Sequence, residues 1–597
     1  MDDEETVDDS VDDRPPGGTA RRPRHRLRWV LAAAAVVLVV WGGLLASRSW
    51  SAYQSDKRGL AALEQVKGNL APGTLTSAAT VQTLKVAEGD FRQASDDLSS
   101  PMFGPVTILP VVGRQLRSVR AITAGAVVVS GTGATFVGQV QRVLDEPRGA
   151  GPQRVASLRQ LGRLAGSASA ALDNIDTGPS NALIGPLATK RAEFVGQLTT
   201  LRDRLISATA VSSTVAAILQ GPRTYLVLAS NNAEMRAGSG AFLEVGTAAT
   251  ADGSVRLSDL TPSGELLLPE GAVPVAGDLE QNWGWLKPGV DWRNLGVTPE
   301  FDVTAPLAAR MWQAKTGQAV DGVLSLDVEG LRQLLVATGP VTVGTTTVTA
   351  DTIDQYLLHD QYEGLTDNAT ADSGRTEQLG ALASAVIDDL QSRSLDLKAL
   401  AASMATATAG RHLLVWSSDP TAQAAWRTSG VAGTLTADSL DADLLNRGGN
   451  KLDPYLSVGV TVTTAPSGAD TSVTMAVHLS NQTPSGQSQF VAGPYPGLGT
   501  SYGEYVGVLA ANLPAAATRR TTTGGGAAVA DGGEGPTWLS AVPVTIDAGA
   551  STTVTYSFVL PGHHGTLSVV PSARIPAEQW RFGRHQFTDV TPTDLSW

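Results

Sequence analysis

An uncharged apolar run, residues 29–46, decides where this chain resides. A helix of that length is about 27 Å long, close to the thickness of the bilayer hydrocarbon. Five arginines precede the run, at positions 21, 22, 24, 26 and 28, and only Arg48 follows closely. The positive-inside rule therefore predicts a single-pass anchor in the cell membrane, with a cytoplasmic N-terminus and the bulk of the chain extracytoplasmic. A cleaved signal peptide is the alternative, but its apolar core is normally about 7–15 residues long.

Charge and composition narrow the function classes. Lys and Arg total 44 against 57 Asp and Glu, a net charge of −13, which argues against a nucleic-acid partner. The chain has no cysteine, which excludes disulfides, thiolate zinc sites and thiol catalysis. Acidic residues dominate the first thirteen positions, so residues 1–28 are predicted to be a disordered cytoplasmic tail.

The remaining sequence predicts a multidomain protein with three exported parts. Residues 50–220 show helical periodicity interrupted by prolines, which indicates a membrane-proximal helical bundle. Residues 221–450 interleave apolar strands with helices and predict a layered α/β domain. Residues 451–597 alternate apolar and polar positions, as in Val458, Val460 and Val462, which predicts an immunoglobulin-like β-sandwich. Within it, the glycine-rich segment 519–536 is predicted to be a mobile loop.

The densest polar cluster is NNAEMRAGSGAF, residues 231–242, directly after a buried strand. Ligands bind at the ends of strands in open α/β sheets, and an arginine is a forked donor suited to phosphate. Asn231, Asn232, Glu234 and Arg236 are therefore candidate anion-binding residues. A structural turn in which Glu234 pairs with Arg236 is the equally weighted alternative.

Two further segments carry candidate cations. Arg375 follows Asp372 and Ser373, which can cap a helix, and a cation there makes sense if an anion binds that helix N-terminus. The alternative is a solvated arginine paired with Glu377. Lys451 lies in NRGGNKLD, residues 446–453, which is interpreted as a hinge in preference to a third anion contact.

Other signatures of catalysis are missing or weak in the sequence. It contains no GxSxG, Walker or HExxH motif, and its seven histidines lack metal-ligand spacing. Trp283, Trp285 and Trp292 could form a sugar-stacking platform, but packing beneath a long loop is favoured.

These segments resemble the bacterial domain-of-unknown-function family 4012, which consists of membrane-anchored exported proteins. The resemblance lies in NNAEMRAGSGAF, then DGVLSLDVEGLRQLLVATGPV at 321–341, then GGNKLDPYL at 448–456. The α/β part is more distantly similar to the LytR–CpsA–Psr family, which transfers glycopolymers from polyprenyl-pyrophosphate carriers to the cell wall. TYLVLASNNAEMRAGSGAF at 224–242 and DSGRTEQLGALASAVIDDL at 372–390 carry that similarity, which implies that Arg236 and Arg375 contact phosphate.

The chain also departs from the second family. No Asp follows Arg236, where a metal-binding carboxylate is expected, and LSDLTP at 257–262 lacks the family's arginine. These losses leave a cavity suited to holding a lipid-linked anion but poorly equipped to activate it.

Three functions are compatible with the sequence, and whether the chain is an enzyme stays open. The first is binding of a polyprenyl-(pyro)phosphate-linked glycan during assembly of a surface polysaccharide or cell-wall glycopolymer. The second is a non-catalytic scaffold that recruits other envelope proteins. The third is a phosphotransferase that uses a divalent metal, in which Asp321 or Asp327 replaces the missing ligand.

Overall fold

The structure is a computed structural model that describes residues 24–68, 77–146, 151–362, 369–392, 397–494 and 498–597. Within those ranges, the side chains of 24–36, 38, 67–68, 369–379 and 392 lie outside the description. The predicted tail, residues 1–28, therefore falls outside it up to residue 23, and Arg24 begins the first helix.

The helices are α1 (Arg24–Gly68), α2 (Ala78–Ser99), α3 (Gly104–Thr107), α4 (Val112–Asp145), α5 (Pro152–Leu172), α6 (Gly185–Gln220), α7 (Gly277–Trp283), α8 (Phe301–Thr316), α9 (Val328–Thr338), α10 (Ile353–Leu358), α11 (Ala369–Ser392), α12 (Leu397–Ala409), α13 (Pro420–Ser429) and α14 (Gln489–Ala492). α1 to α6 precede the first strand, and all of them except the four-residue α3 have at least 21 residues. They confirm the predicted helical N-terminal region. Pro101, Pro105 and Pro110 lie between α2 and α4, where the sequence predicted interruptions.

The strands are β1 (Arg223–Arg236), β2 (Ser239–Ala251), β3 (Ser254–Leu257), β4 (Thr261–Pro262), β5 (Gly322–Leu326), β6 (Val341–Val343), β7 (Thr346–Val348), β8 (Leu413–Ser417), β9 (Ser439–Leu440), β10 (Asp443–Asn446), β11 (Leu456–Ser467), β12 (Asp470–Asn481), β13 (Tyr505–Leu513), β14 (Thr518–Thr523), β15 (Ala530–Glu534), β16 (Thr537–Ile546), β17 (Ser551–Leu560), β18 (Thr566–Val569), β19 (Gln579–Phe582), β20 (His585–Thr588) and β21 (Thr593–Ser596).

The chain divides into two compact units. One contains the described residues up to Leu63 together with Val86–Val127 and Asp176–Phe194. The other contains Glu64–Lys85, Val128–Ile175 and Val195–Trp597, and so holds every strand named above.

The first sheet of the second unit has the order β3-β2-β1-β5-β8, with β4 paired to β2. Only β1 and β5 run parallel; β2 and β8 pair antiparallel on either side of them. Asp327 ends β5 and caps α9, because its Oδ1 accepts the Gly330 amide at 2.9 Å. Leu226, Leu228 and Val323 bury one face of this sheet in a core.

Two further sheets build the strand-rich C-terminal region, in the orders β10-β13-β16-β15 and β14-β17-β12-β11-β19-β20. Tyr505 and Leu509 of β13 share a core with Val460 and Val477 of the six-stranded sheet. On the opposite face of β13, Val508 and Ala510 join the core that contains Leu228 and Phe242. The four-stranded sheet is therefore a middle layer buried on both faces, which differs from a two-layer sandwich.

Strand pairing also crosses the boundary expected between residues 450 and 451. β9 pairs with β18, and β10 pairs with β13, so residues 439–446 belong to the C-terminal sheets. The mobile loop predicted over 519–536 is wrong, because β14 and β15 lie within it as edge strands. Each of these two strands pairs with one neighbour, β14 with β17 and β15 with β16, which orders this part of the segment.

One described helix, α4, is long and apolar enough to cross a membrane by length and composition. The span predicted from the sequence, residues 29–46, lies in α1, and half of its side chains are outside the description. α4 also packs against α2, where Leu84 lies 3.6 Å from the position of a Cβ on Gly133.

Candidate functional site

The polar cluster 231–242 forms the far end of the β1–β2 hairpin. β1 continues through residues 231–236, with one register shift between Ala229 and Ser230 and another between Asn231 and Met235. The first half of the cluster is therefore part of the strand, whereas the sequence predicted that it follows the strand. Gly240 brings the two strands together, since a Cβ there would lie 2.1 Å from the Asn231 carbonyl oxygen. Gly238 and Gly240 therefore allow backbone segments of the protein to approach each other closely.

Asn232 joins the hairpin to the end of β5 and to the C-terminal region. Its amide nitrogen donates to Asp327 Oδ2 at 2.9 Å and to the Ala573 carbonyl at 2.8 Å. Asp327 Oδ2 also accepts from Ser239 Oγ at 2.9 Å and lies 2.8 Å from His412 Nδ1. Burial opposes protonation of His412, but Asp327 outweighs it and raises the pKa of the imidazole. Asp327, a candidate metal ligand, is thus fully engaged by protein groups.

A second buried centre lies at Asp453. Its Oδ1 receives Arg574 Nη1 at 2.9 Å and the Tyr505 hydroxyl at 3.2 Å. Its Oδ2 receives the Met235 amide at 3.0 Å and Asn446 Nδ2 at 2.9 Å. The Asp453 and Arg574 side chains have no exposed surface. This carboxylate therefore joins β1, β10, β13 and the segment before β19.

Arg236 is buried, with 6 % of its surface exposed. Its Nη1 donates to the carbonyls of Met235 and Asn446, at 2.8 and 2.9 Å, and its Nε donates to the Arg293 carbonyl at 3.0 Å. Burial lowers its pKa to about 10, against the opposing effect of Asp453. The guanidinium therefore holds three backbone segments together. It does not pair with Glu234, so the predicted turn with a Glu234–Arg236 ion pair is wrong in this respect.

Glu234 pairs instead with Lys451, and both side chains are at least nine-tenths buried. Burial lowers the pKa of Lys451 to about 7, and the ammonium lies 5.2 Å from the centre of the Phe490 ring. Asn231 donates to the Tyr362 hydroxyl at 2.5 Å. The structure thus brings five of the six predicted anion-binding residues into one buried polar junction, which we define as Asn231, Asn232, Glu234, Arg236 and Lys451 with Asp327 and Asp453.

The sixth residue, Arg375, lies in α11, and its side chain is outside the described residues. α11 begins at Ala369, six positions earlier, so the prediction that Asp372 or Ser373 caps this helix is wrong. The free amides that can bind an anion are in the first turn of a helix, and Arg375 lies beyond that turn.

Asp321 and Asp327 flank the five-residue strand β5, one at each end. At about 3.3 Å per residue they are well over 15 Å apart along the strand, too far to share a metal ion. Asp321 accepts the Thr224 amide at 2.8 Å and pairs with Arg223 at 3.2 Å. Among the described residues, no group of three or more His, Asp or Glu could hold a metal ion.

Sequence reasoning missed a set of buried acids on the other side of the middle sheet. Asp441 accepts the Asn512 amide at 2.7 Å, and Glu534 accepts Trp283 Nε1 at 2.9 Å. Burial raises the pKa of Asp441 and, further, that of Asp443. The sequence pattern that could have revealed Asp441 and Asp443 is DADLLN at 441–446, in which the acids lie among apolar residues. Its last four residues form β10, and all four are buried.

Two cavities that the structure describes lie away from the buried polar junction, since no junction residue lines them. One, of about 480 Å³, is lined by α6, the start of β1 and the β8–α13 segment. The other, of about 370 Å³, lies between α5 and α6. Trp283 and Trp292 are buried in the core, which supports the packing interpretation, whereas Trp285 is 49 % exposed beneath Arg447.

Comparison with known families gives one match. Residues 220–362 match the model of DUF4012, a family described as proteins of unknown function. The matched segment runs from the end of α6 to Tyr362 and so contains β1, the hairpin and Asp327. Neither the curated proteins nor the solved structures give a significant match.

Proposed function

We propose a function for this chain, starting from the match of its residues 220–362 to the DUF4012 model. The chain is a membrane-anchored, non-catalytic scaffold of the cell envelope. Its α/β layer and C-terminal sheets form one rigid body that presents its surface to other envelope proteins.

The observation that carries this proposal is that every charged side chain of the buried polar junction is already engaged by protein groups. Arg236 is engaged by three carbonyls, Lys451 by Glu234, and Asp327 by four donors. Removing any of these partners to bind a phosphate would leave buried polar groups unpaired, at about 1–3 kcal/mol each. The junction therefore suits a structural role better than ligand exchange.

The anchor is part of this proposal. The first helix, α1, runs without a break from Arg24 to Gly68, and its side chains Val37, Val39 and Val40 are exposed by 66, 75 and 56 %. Such exposure of branched apolar residues suits a lipid environment. The arginines before residue 29 favour a cytoplasmic N-terminus by the positive-inside rule.

The carrier-lipid hypothesis is the alternative, and the similarity to the LytR–CpsA–Psr family stays a prediction. It needs Arg236 and Arg375 to converge on one phosphate. The contacts of Arg236 argue against this use, and Arg375 is untested.

The experiment measures binding of polyprenyl phosphate and pyrophosphate to the full chain in lipid nanodiscs. We expect no saturable binding by the native protein. Arg236→Gln should lower the melting temperature by several degrees, because it unpairs buried carbonyls, whereas the exposed control Arg256→Gln should leave it unchanged. Saturable binding that Arg236→Gln abolishes while the fold persists would refute the scaffold.

A positive measurement is photocrosslinking in intact cells from a benzoylphenylalanine placed at the exposed Trp285. A scaffold should give discrete adducts with extracytoplasmic proteins. Adducts with lipid alone would favour the carrier-lipid hypothesis instead.

A further inference from the structure

Residues 98–113, from the last turn of α2 to the first turn of α4, form a stretch of sixteen residues without a charged side chain. Four of its large apolar residues face outward: Ile108 is 81 % exposed, Leu109 51 %, Val111 67 % and Val112 51 %. Ordinary surfaces expose such residues singly, so a contiguous set indicates a surface that is covered in the working protein.

The segment is held in a fixed shape. The Thr107 carbonyl accepts Arg117 Nη1 at 3.0 Å, and a Cβ on Gly113 would lie 2.3 Å from the same oxygen. Phe103 is buried, and the Arg120 guanidinium lies 5.8 Å from the centre of its ring. The exposed apolar side chains are therefore presented by an ordered backbone.

Contacts with α1 fix what lies next to this segment. Trp41 Nε1 donates to the Met102 carbonyl at 3.1 Å, and Arg48 pairs with Asp97 at 2.8 Å. Trp41 lies five residues before the outer end of the proposed span, which is about 7 Å along a helix axis. That distance matches the depth of about 5–10 Å at which interfacial apolar segments lie.

The charged residues that follow the segment also suit a position at the membrane interface. Three arginines follow it at helical spacing on α4; Arg117 is exposed and Arg114 is half-buried, whereas Arg120 is held against Phe103. Arginines at this position can reach lipid phosphates while the apolar residues reach the acyl chains.

We infer that the apolar loop, residues 101–113, inserts shallowly into the outer leaflet of the membrane beside the anchor. This inference rests on the proposed anchor at residues 29–46. The loop gives the exported chain a second point of attachment, which restricts its tilt relative to the bilayer.

The absence of cysteine from the sequence makes a depth measurement direct. Single variants Ile108→Cys, Val111→Cys and Val39→Cys carry an environment-sensitive fluorophore in the full chain. Val590→Cys is the matched control, since Val590 is 50 % exposed in the other unit. The proteins are reconstituted in phosphatidylglycerol–phosphatidylethanolamine vesicles that carry quenchers at shallow or deep acyl positions.

We expect blue-shifted emission at 108 and 111, with stronger quenching by shallow than by deep quenchers, and no quenching at 590. Quenching at 39 but not at 108 or 111 would overturn the loop insertion and leave the anchor in place. No quenching at 39 would overturn the anchor and the proposal that rests on it. Leu109→Cys provides a second reporter if one loop variant folds poorly.

Discussion

At the scale of single residues, Arg574 and Asp453 show why the candidate site could be located but not understood from the sequence. The polar cluster 231–242 was recognisable by its composition. Its partners were not, because Arg574 is 121 residues from Asp453 and Ala573 is 341 residues from Asn232. Long-range pairing of this kind follows from topology and leaves no local pattern.

The ion pair itself gives a prediction. Arg574→Met should lower the free energy of unfolding by about 3–5 kcal/mol, because it leaves the Asp453 carboxylate buried without a counter-charge. Urea denaturation measures this change. Arg581→Met, an exposed arginine on β19, is the control, and an equally small effect at both positions would contradict a structural role for the pair.

Glu300 gives a prediction about pH. Burial raises its pKa from 4.5 to about 7, although its carboxylate accepts the Leu435 amide at 2.9 Å. The folded state holds this proton more tightly than the unfolded state, so the stabilisation is complete below pH 4.5 and is lost as the pH rises through 7. The loss amounts to roughly 3 kcal/mol.

Urea denaturation between pH 4.5 and pH 8 tests this for Glu300→Gln, which keeps an oxygen acceptor but does not titrate. In this variant, the free energy of unfolding should no longer show the decrease of roughly 3 kcal/mol that Glu300 causes as the pH rises through 7. Glu265→Gln, at an exposed glutamate, should retain it. Identical profiles for all three proteins would show that Glu300 does not titrate abnormally.

At the scale of elements, the sequence predicted the strands that alternate and missed those that do not. β11, β12 and β17 each have one face toward the core, so their apolar residues recur every second position. β13 is buried along nearly its whole length because it lies in the middle sheet. A strand buried on both faces has no period of two, so its layer could not be assigned from the sequence.

The middle layer can be tested by adjacent substitutions in β13. Val508 and Leu509 point to opposite faces and into different cores. Leu509→Ala should cost about 2–5 kcal/mol and Val508→Ala at least about 1 kcal/mol. His478→Ala, on the exposed face of β12, should change stability by less than about 0.5 kcal/mol. A negligible effect of Val508→Ala in chemical denaturation would place a two-layer sandwich there instead.

At the scale of the whole molecule, the α/β layer and the C-terminal sheets are not independent domains. Asn232, Met235 and Arg236 of β1 all bond to residues beyond 440. The predicted domain boundaries follow changes in amino-acid composition along the chain. The hydrogen bonds of β1, by contrast, join residues that lie on opposite sides of the boundary predicted at residue 450 or close to it.

This interdependence predicts the outcome of truncation. A chain that ends after residue 450 should lose the near-ultraviolet circular dichroism of its buried Trp283 and Trp292, because Asp453 and Arg574 are gone. Co-expression of residues 438–597 as a separate fragment should restore it. A cooperative thermal transition in the truncated chain alone would show that the α/β layer folds independently.

The bond from Asn232 to Ala573 has a consequence for biogenesis. In the proposed topology the chain is exported starting from its N-terminal side, and β1 emerges long before the residue that completes its hydrogen bonds. The hairpin would then wait in an incomplete state on the far side of the membrane until almost the entire polypeptide has crossed. Extracytoplasmic chaperones and proteases would meet this nascent intermediate, and a late stop codon would leave it as their substrate.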